Sequence, residues 1–182
     1  TTYIAAATYS RLFSCIILLD PPIFPRRLLW LIAAMKWLGL SGSIPLARTA
    51  RRRRKAFQGK KEALDRFAAG RGIFKTWSQE FIEAYLECGL LEKDSETAIL
   101  KCDPELEAQI FESIPLDVWK YAEKISCPVL AIRGAQSDTF RVDAAERLKH
   151  KIADCEIATI ADAGHFVPMG KPEECARIIV EF

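Results

Sequence analysis

Pro128-Val129-Leu130-Ala131-Ile132-Arg133 is an apolar run that leads into a polar loop, Gly134 to Arg141, and then into a helical stretch, Val142 to Lys151. Such a run, bounded by turn signals, reads as a strand buried in a parallel sheet. The same order repeats at once. Cys155-Glu156-Ile157-Ala158-Thr159-Ile160 is the next strand, Ala161-Asp162-Ala163-Gly164-His165-Phe166-Val167-Pro168-Met169 the next loop, and Pro172 opens a final helix in its first turn. Two successive strand, loop and helix units predict adjacent parallel strands joined by right-handed crossovers. Ligands in such sheets bind at the carboxyl ends of the strands, the edge to which both loops belong.

Upstream, Thr1 to Tyr9 is small and apolar, as a helix packed closely on a sheet requires, and Leu12 to Leu19 is a second run of strand length that stops at Asp20-Pro21-Pro22. Between these two α/β portions the periodicity is helical. Helices are expected over Arg26 to Leu40, Leu46 to Phe57, Lys60 to Ala69, Glu105 to Glu112 behind the Asp103-Pro104 cap, and Asp117 to Lys124. A further helix, carrying Phe81, Ile82, Tyr85 and Leu86, begins at a capping box, Thr76-x-x-Gln79. The fold class is therefore α/β: three strands of a mostly parallel sheet in residues 1–25 and 125–182, with a helical insertion over residues 26–124 that is too large for an ordinary loop.

Half of the 182 residues are hydrophobic, enough to bury a core, and the net charge is only +2. That small number hides an asymmetry. Arg48 to Lys61 holds eight of the 26 basic residues and no acid, leaving 18 basic against 24 acidic elsewhere. The basicity is local, which argues against a nucleic-acid partner. Arg51 to Lys55 reads as the solvated face of a helix in the insertion; contact with an acidic membrane surface is the less favoured reading. The six cysteines are scattered without a C-x-x-C pair, which points to reduced thiols, a cytoplasmic setting and no zinc site. The most apolar segment, Leu28 to Leu40, is too short to span a bilayer.

His165 is one of two histidines and follows a glycine on a loop at the ligand-binding edge. A base that must accept and return a proton needs one ring nitrogen free and the other held by an acceptor, for which a carboxylate is best. Asp138 lies on the preceding loop of the same edge. Parallel neighbours would present the two side by side.

With Pro128 to Asp138 compared with P-V-L-x-I-x-G-x-x-D, and Ala163-Gly164-His165-Phe166 compared with G-H-x, the chain resembles the α/β-hydrolase superfamily. The small-residue helix and the buried strand ending in Asp-Pro resemble it too. The resemblance implies that Asp138 is the triad acid and His165 the general base, in the order nucleophile, acid, base. It implies that the insertion is a cap domain and that no metal or organic cofactor is needed. Asp20 is the second candidate acid, because some members place the acid after this earlier strand; its Pro-Pro sequel reads as a structural turn. The G-x-S-x-G nucleophile elbow is not in this sequence, and the resemblance would put it four or five residues before Thr1. The expectation is the carboxy-terminal part of a serine hydrolase acting on a carboxylic ester or lipid-like small acyl substrate, inert by itself. An upstream Asp nucleophile, giving a haloalkane dehalogenase or epoxide hydrolase, and a non-catalytic binding member of the fold remain the alternatives.

Phe140, Phe166, Val167, Pro168 and Met169 are expected at the mouth of the site, either lining an acyl pocket or covering the core. Trp30, Trp37, Phe74 and Trp77 read as core aromatics of the insertion. His150 closes a basic helix and reads as a partner of its dipole. Asp143 reads as first-turn helix charge and Asp162 as a turn former.

Overall fold

In a computed structural model that describes residues 2–70, 72–94 and 96–182, the apolar run before Asp20 is shorter as a strand than its composition predicts. Ser10–Leu12 is a 3-10 turn, and only Ile16–Leu19 forms strand β1. Helix α1 (Thr2–Thr8) buries Tyr3, Ala6 and Ala7; Thr1, where the helix was expected to begin, lies outside the described residues.

The chain divides into two compact units, one made of the residues up to Leu29 together with Pro115–Phe182, the other of Trp30–Ile114. The sequence expectation set the limits of the insertion at residues 26 and 124. Helix α2 (Arg26–Trp37) precedes α3 (Pro45–Arg51), strand β2 (Ala56–Gln58), α4 (Gly59–Ala68), α5 (Gln79–Gly89), β3 (Leu90–Glu92), β4 (Thr97–Leu100) and α6 (Pro104–Glu112). An all-helical insertion is therefore corrected. The three short strands form an antiparallel sheet in the order β2-β4-β3. Three or four residues are too few to print a two-residue alternation on the sequence, and β3 follows α5 without a break.

Two apolar clusters hold this unit. In one, Ala47 and Ala50 of α3 meet Ala108 of α6 beside Ile32 and Ile44; the small side chains let the helices approach closely. In the other, Phe57, Ile82, Leu86, Leu90 and Leu100 pack with a ring cluster of Phe67, Phe74, Trp77 and Tyr85 whose centroids lie 4.7 to 5.8 Å apart. Phe74 and Trp77 are core residues, as expected. Trp30 and Trp37 are not: they stand 73% and 86% exposed. The cap of α5 is Ser78, whose Oγ accepts from the Phe81 N–H, two residues after the Thr76 of the predicted capping box. Asp103 caps α6 as predicted.

The basic run is also placed differently. It ends α3 and leads into β2, and four of its five residues meet carboxylates of this unit. Arg51 binds Glu105 and Glu112, Arg53 binds Glu107 and the Tyr85 hydroxyl, Arg54 binds Glu62, and Lys55 binds Asp103.

The remaining residues return to the parallel sheet through α7 (Trp119–Ala122), β5 (Val129–Gly134), α8 (Val142–Lys151), β6 (Cys155–Ile160), α9 (Val167–Gly170) and α10 (Pro172–Glu181). The order is β1-β5-β6, with Leu19 opposite Ile132 and Gly134 opposite Ile160, all parallel. Every residue of β5 is buried. Leu130, Ile132, Ile160, Val167 and Cys175 share one core with Ile178 and Ile179 of α10. Burial of each large aliphatic contributes about 1.5–3 kcal/mol. The Cys155 thiol is pushed up to about 11 by burial and the Cys175 thiol is raised for the same reason, so both act as packing groups. Among the described residues, no helix is long and apolar enough to cross a membrane.

Candidate active site

Three strand ends converge at the carboxyl edge of this sheet. The backbone of β1 closes with Asp20, whose N–H donates to the Ile132 carbonyl at 2.7 Å. Asp20 then adopts φ +43°, a left-handed conformation that Asp tolerates better than most residues, and turns the chain into Pro21-Pro22. Its carboxylate is completely buried. A buried charge must be fully hydrogen-bonded to persist, and this one is. Oδ2 accepts the Gly134 N–H at 2.9 Å, while Oδ1 accepts the Ser137 hydroxyl at 2.6 Å and lies 2.9 Å from Nδ1 of His165.

The structure therefore corrects the expected pairing. Asp20, and not Asp138, holds His165. Asp138 is exposed on the β5 loop, where among the described residues Oδ1 accepts only the Thr139 hydroxyl at 3.3 Å. The physical reason is a one-residue offset. In P-V-L-x-I-x-G-x-x-D the carboxylate stands three residues after the glycine, and here that position is Ser137. Asp138 comes one residue later, beyond a turn closed by the Ser137 N–H on the Gly134 carbonyl at 3.1 Å.

His165 reaches Asp20 because two loops cross at Gly134. A Cβ at this position would stand 2.3 Å from the carbonyl oxygens of Ala163 and Gly164, so only glycine allows the β6 loop to lie over the end of β5. Backbone bonds fix the crossing: Ala135 N–H to the Ile160 carbonyl at 2.8 Å, and Gln136 N–H to the Ala163 carbonyl at 2.9 Å. Asp162, which the sequence suggested as a turn former, adopts the left-handed φ of +53°. The His165 side chain is 35% exposed against a partner at 0%, so the ring bridges a buried carboxylate and the surface. Its Nε2 makes no hydrogen bond to a described residue.

Arg133 is buried at the end of β5. Its Nε donates to the Phe140 carbonyl at 2.9 Å and bounds the loop that carries Ser137. Phe140 and Val167, expected at the mouth of the site, are both fully buried. Phe166 and Met169 are half-buried, and the Phe166 ring lies edge-on to the imidazole with centroids 4.8 Å apart. Asp143 sits in the first turn of α8 and His150 in its last, as read from the sequence. Among the described residues no group of three or more His, Cys, Asp or Glu could hold a metal ion.

Comparison with known proteins bears on the fold. No family model matches the chain. It is 33% identical over 60 residues to human monoacylglycerol lipase ABHD6, a stretch covering 33% of this chain and 18% of that protein. Among solved structures it is similar to E-2-(acetamidomethylene)succinate hydrolase, with a TM-score of 0.71, 20% identity, and coverage of 100% of this chain and 61% of that one. The peroxisomal α/β-hydrolase Lpx1 of Saccharomyces cerevisiae matches with a TM-score of 0.76 and 14% identity, over 98% of this chain and 48% of that one. An esterase of Mycobacterium tuberculosis matches with a TM-score of 0.67 and 15% identity, over 100% and 59%. The chain spans between 48% and 61% of the length of these three structures. Its three parallel strands, their helices and the unit inserted between β1 and β5 are those of the α/β-hydrolase fold.

Proposed function

We propose that this chain supplies the acid and the base of a serine hydrolase that cleaves a small carboxylic ester. The observation that carries the proposal is the contact between the buried Asp20 carboxylate and Nδ1 of a partly exposed His165. With Nδ1 held, Nε2 is the nitrogen left to exchange protons with a substrate-side hydroxyl.

The serine belongs to the part of the fold that the chain does not span. Its hydroxyl proton passes to Nε2 as Oγ bonds to the ester carbonyl carbon, and Asp20 stabilises the imidazolium so formed. The same proton then goes to the departing alkoxide when the ester C–O bond breaks. In the second half, water loses a proton to Nε2 and attacks the acyl carbon, and that proton passes to Oγ as the acyl–serine bond breaks, releasing the acid and restoring the serine. Every step asks the same two things of this chain: a correctly aimed Nε2 and a carboxylate that does not move. Phe166 borders the base on its apolar side, and it and the half-buried Met169 would meet the acyl group. The partial identity to a monoacylglycerol lipase supports a lipid-like ester.

The experiment is labelling of the whole protein with a fluorophosphonate, beside turnover of p-nitrophenyl butyrate. Labelling and turnover are expected, with both lost in His165→Ala and both absent from the 182-residue chain alone. Turnover without fluorophosphonate labelling would replace serine by an aspartate nucleophile. His165-independent turnover would end the proposal.

A further inference from the structure

Ser137 places on Asp20 a side chain to which the proposed chemistry assigns nothing. It is a buried hydroxyl with three polar partners, and all of them are used. It donates to Oδ1 of Asp20 at 2.6 Å and accepts the N–H groups of Thr139 at 3.1 Å and Phe140 at 3.2 Å. A hydroxyl has one proton, and two backbone donors pointing at its oxygen leave that proton only one direction, toward the carboxylate. The turn thus fixes the orientation of the hydroxyl as well as its place. Arg133 bounds the same turn through the Phe140 carbonyl.

Oδ1 is also the oxygen that faces His165, whereas Oδ2 is bound by the Gly134 amide. The carboxylate is therefore pinned at both ends, and the plane in which Oδ1 can meet Nδ1 is set by groups that never approach substrate. We infer that Ser137 is a positioning residue of the proton relay, acting through Asp20 to hold the imidazole in the tautomer and direction the base requires. It occupies the place, three residues after Gly134, at which the family motif carries its acid. The hydroxyl there serves a carboxylate delivered from the neighbouring strand.

The inference rests on the proposed hydrolase reading, and the test separates the two. In the whole protein, with p-nitrophenyl butyrate as probe, Ser137→Ala should lower kcat by about tenfold to a hundredfold, the worth of a hydrogen bond to a charged group, with KM unchanged. Ser137→Thr, which keeps the hydroxyl, should recover most of that loss. Ser137→Cys keeps the volume with a weak donor and should behave like Ser137→Ala, so the measurement survives if the alanine variant folds poorly. The low-field Nδ1 proton of His165, followed by NMR, should broaden or move upfield in the alanine and cysteine variants and return in the threonine variant. In an Asp20→Asn background Ser137→Ala should cost little more, because the group it positions is gone. If Ser137→Ala or Ser137→Cys folds and keeps kcat within about twofold, a change too small for a charged hydrogen bond, the inference falls. If Asp20→Asn and His165→Ala also keep full turnover, the hydrolase reading falls with it.

Discussion

The two units use charge in opposite ways. In the sheet unit one carboxylate, Asp20, is withdrawn from water and satisfied by Gly134, Ser137 and His165. In the inserted unit Arg51, Arg53, Arg54 and Lys55 meet carboxylates that keep substantial contact with solvent. Burial makes the first arrangement rigid and intolerant, since any lost partner strands a charge in a medium that cannot screen it. Exposure makes the second redundant. Each pair contributes little, and the loss of one leaves the others in place.

The sharpest way to break this comparison is at the buried carboxylate. In the whole protein His165→Ala and Asp20→Asn should each lower ester turnover by about 10³- to 10⁴-fold, while Asp138→Asn stays within about twofold, because only Asp20 touches the imidazole. Equal losses in the two aspartate variants would return Asp138 to the relay. Next in size is Gly134→Ala. Its Cβ has no room against the Ala163 and Gly164 carbonyls, and overpacking against backbone should lower stability by about 1–3 kcal/mol in urea unfolding and loosen the β6 loop. A variant as stable as the parent would show that the crossing yields.

The inserted unit should respond far less. Arg53 is the most enclosed of these four cations, with both Glu107 and the Tyr85 hydroxyl as partners, and Arg53→Met should lower stability by about 1 kcal/mol at most. A larger loss would make this face a rigid centre like the other. The smallest effect is the dependence on acid. Glu62 is held below the usual carboxylate range by the Gln58 N–H and by Arg54, Asp103 by Lys55 and the Glu105 N–H, and Glu105 by Arg51. Each binds a proton less readily folded than unfolded. Their stabilisation is complete above the unfolded value of about 4 and is lost as pH falls through the lower folded value. The urea midpoint should therefore drop between pH 6 and pH 3, and drop less in a Glu62→Gln, Asp103→Asn, Glu105→Gln variant. Parallel curves for the two proteins would remove these pairs from the account.

The sequence was most legible where the pattern is long. The β5 and β6 repeats, their helices, the edge that bears both loops and the position of His165 could all be read from apolar runs and turn residues. The identity of the acid could not, because Asp20 and Asp138 each end a strand and the choice depends on a one-residue phase. The glycine-plus-three spacing, which lands on Ser137, was the available signal. The strands of the inserted unit were hidden by their brevity. The exposure of Trp30 and Trp37 was hidden because helical spacing fixes a face and says nothing of what lies against it.

Gly134, Ser137 and His165 come to Asp20 from 114, 117 and 145 residues away along the chain. A charge cannot enter the interior ahead of its donors, so Asp20 stays hydrated until both halves of the sheet have met. The site should thus be the last part of the unit to mature, and the meeting should be faster if the inserted residues fold first, because a folded segment is a shorter tether than a loose one of the same length. In refolding followed by pulsed hydrogen exchange, the Gly134 amide should gain protection after those of β3 and β4; earlier protection at Gly134 would reverse that order.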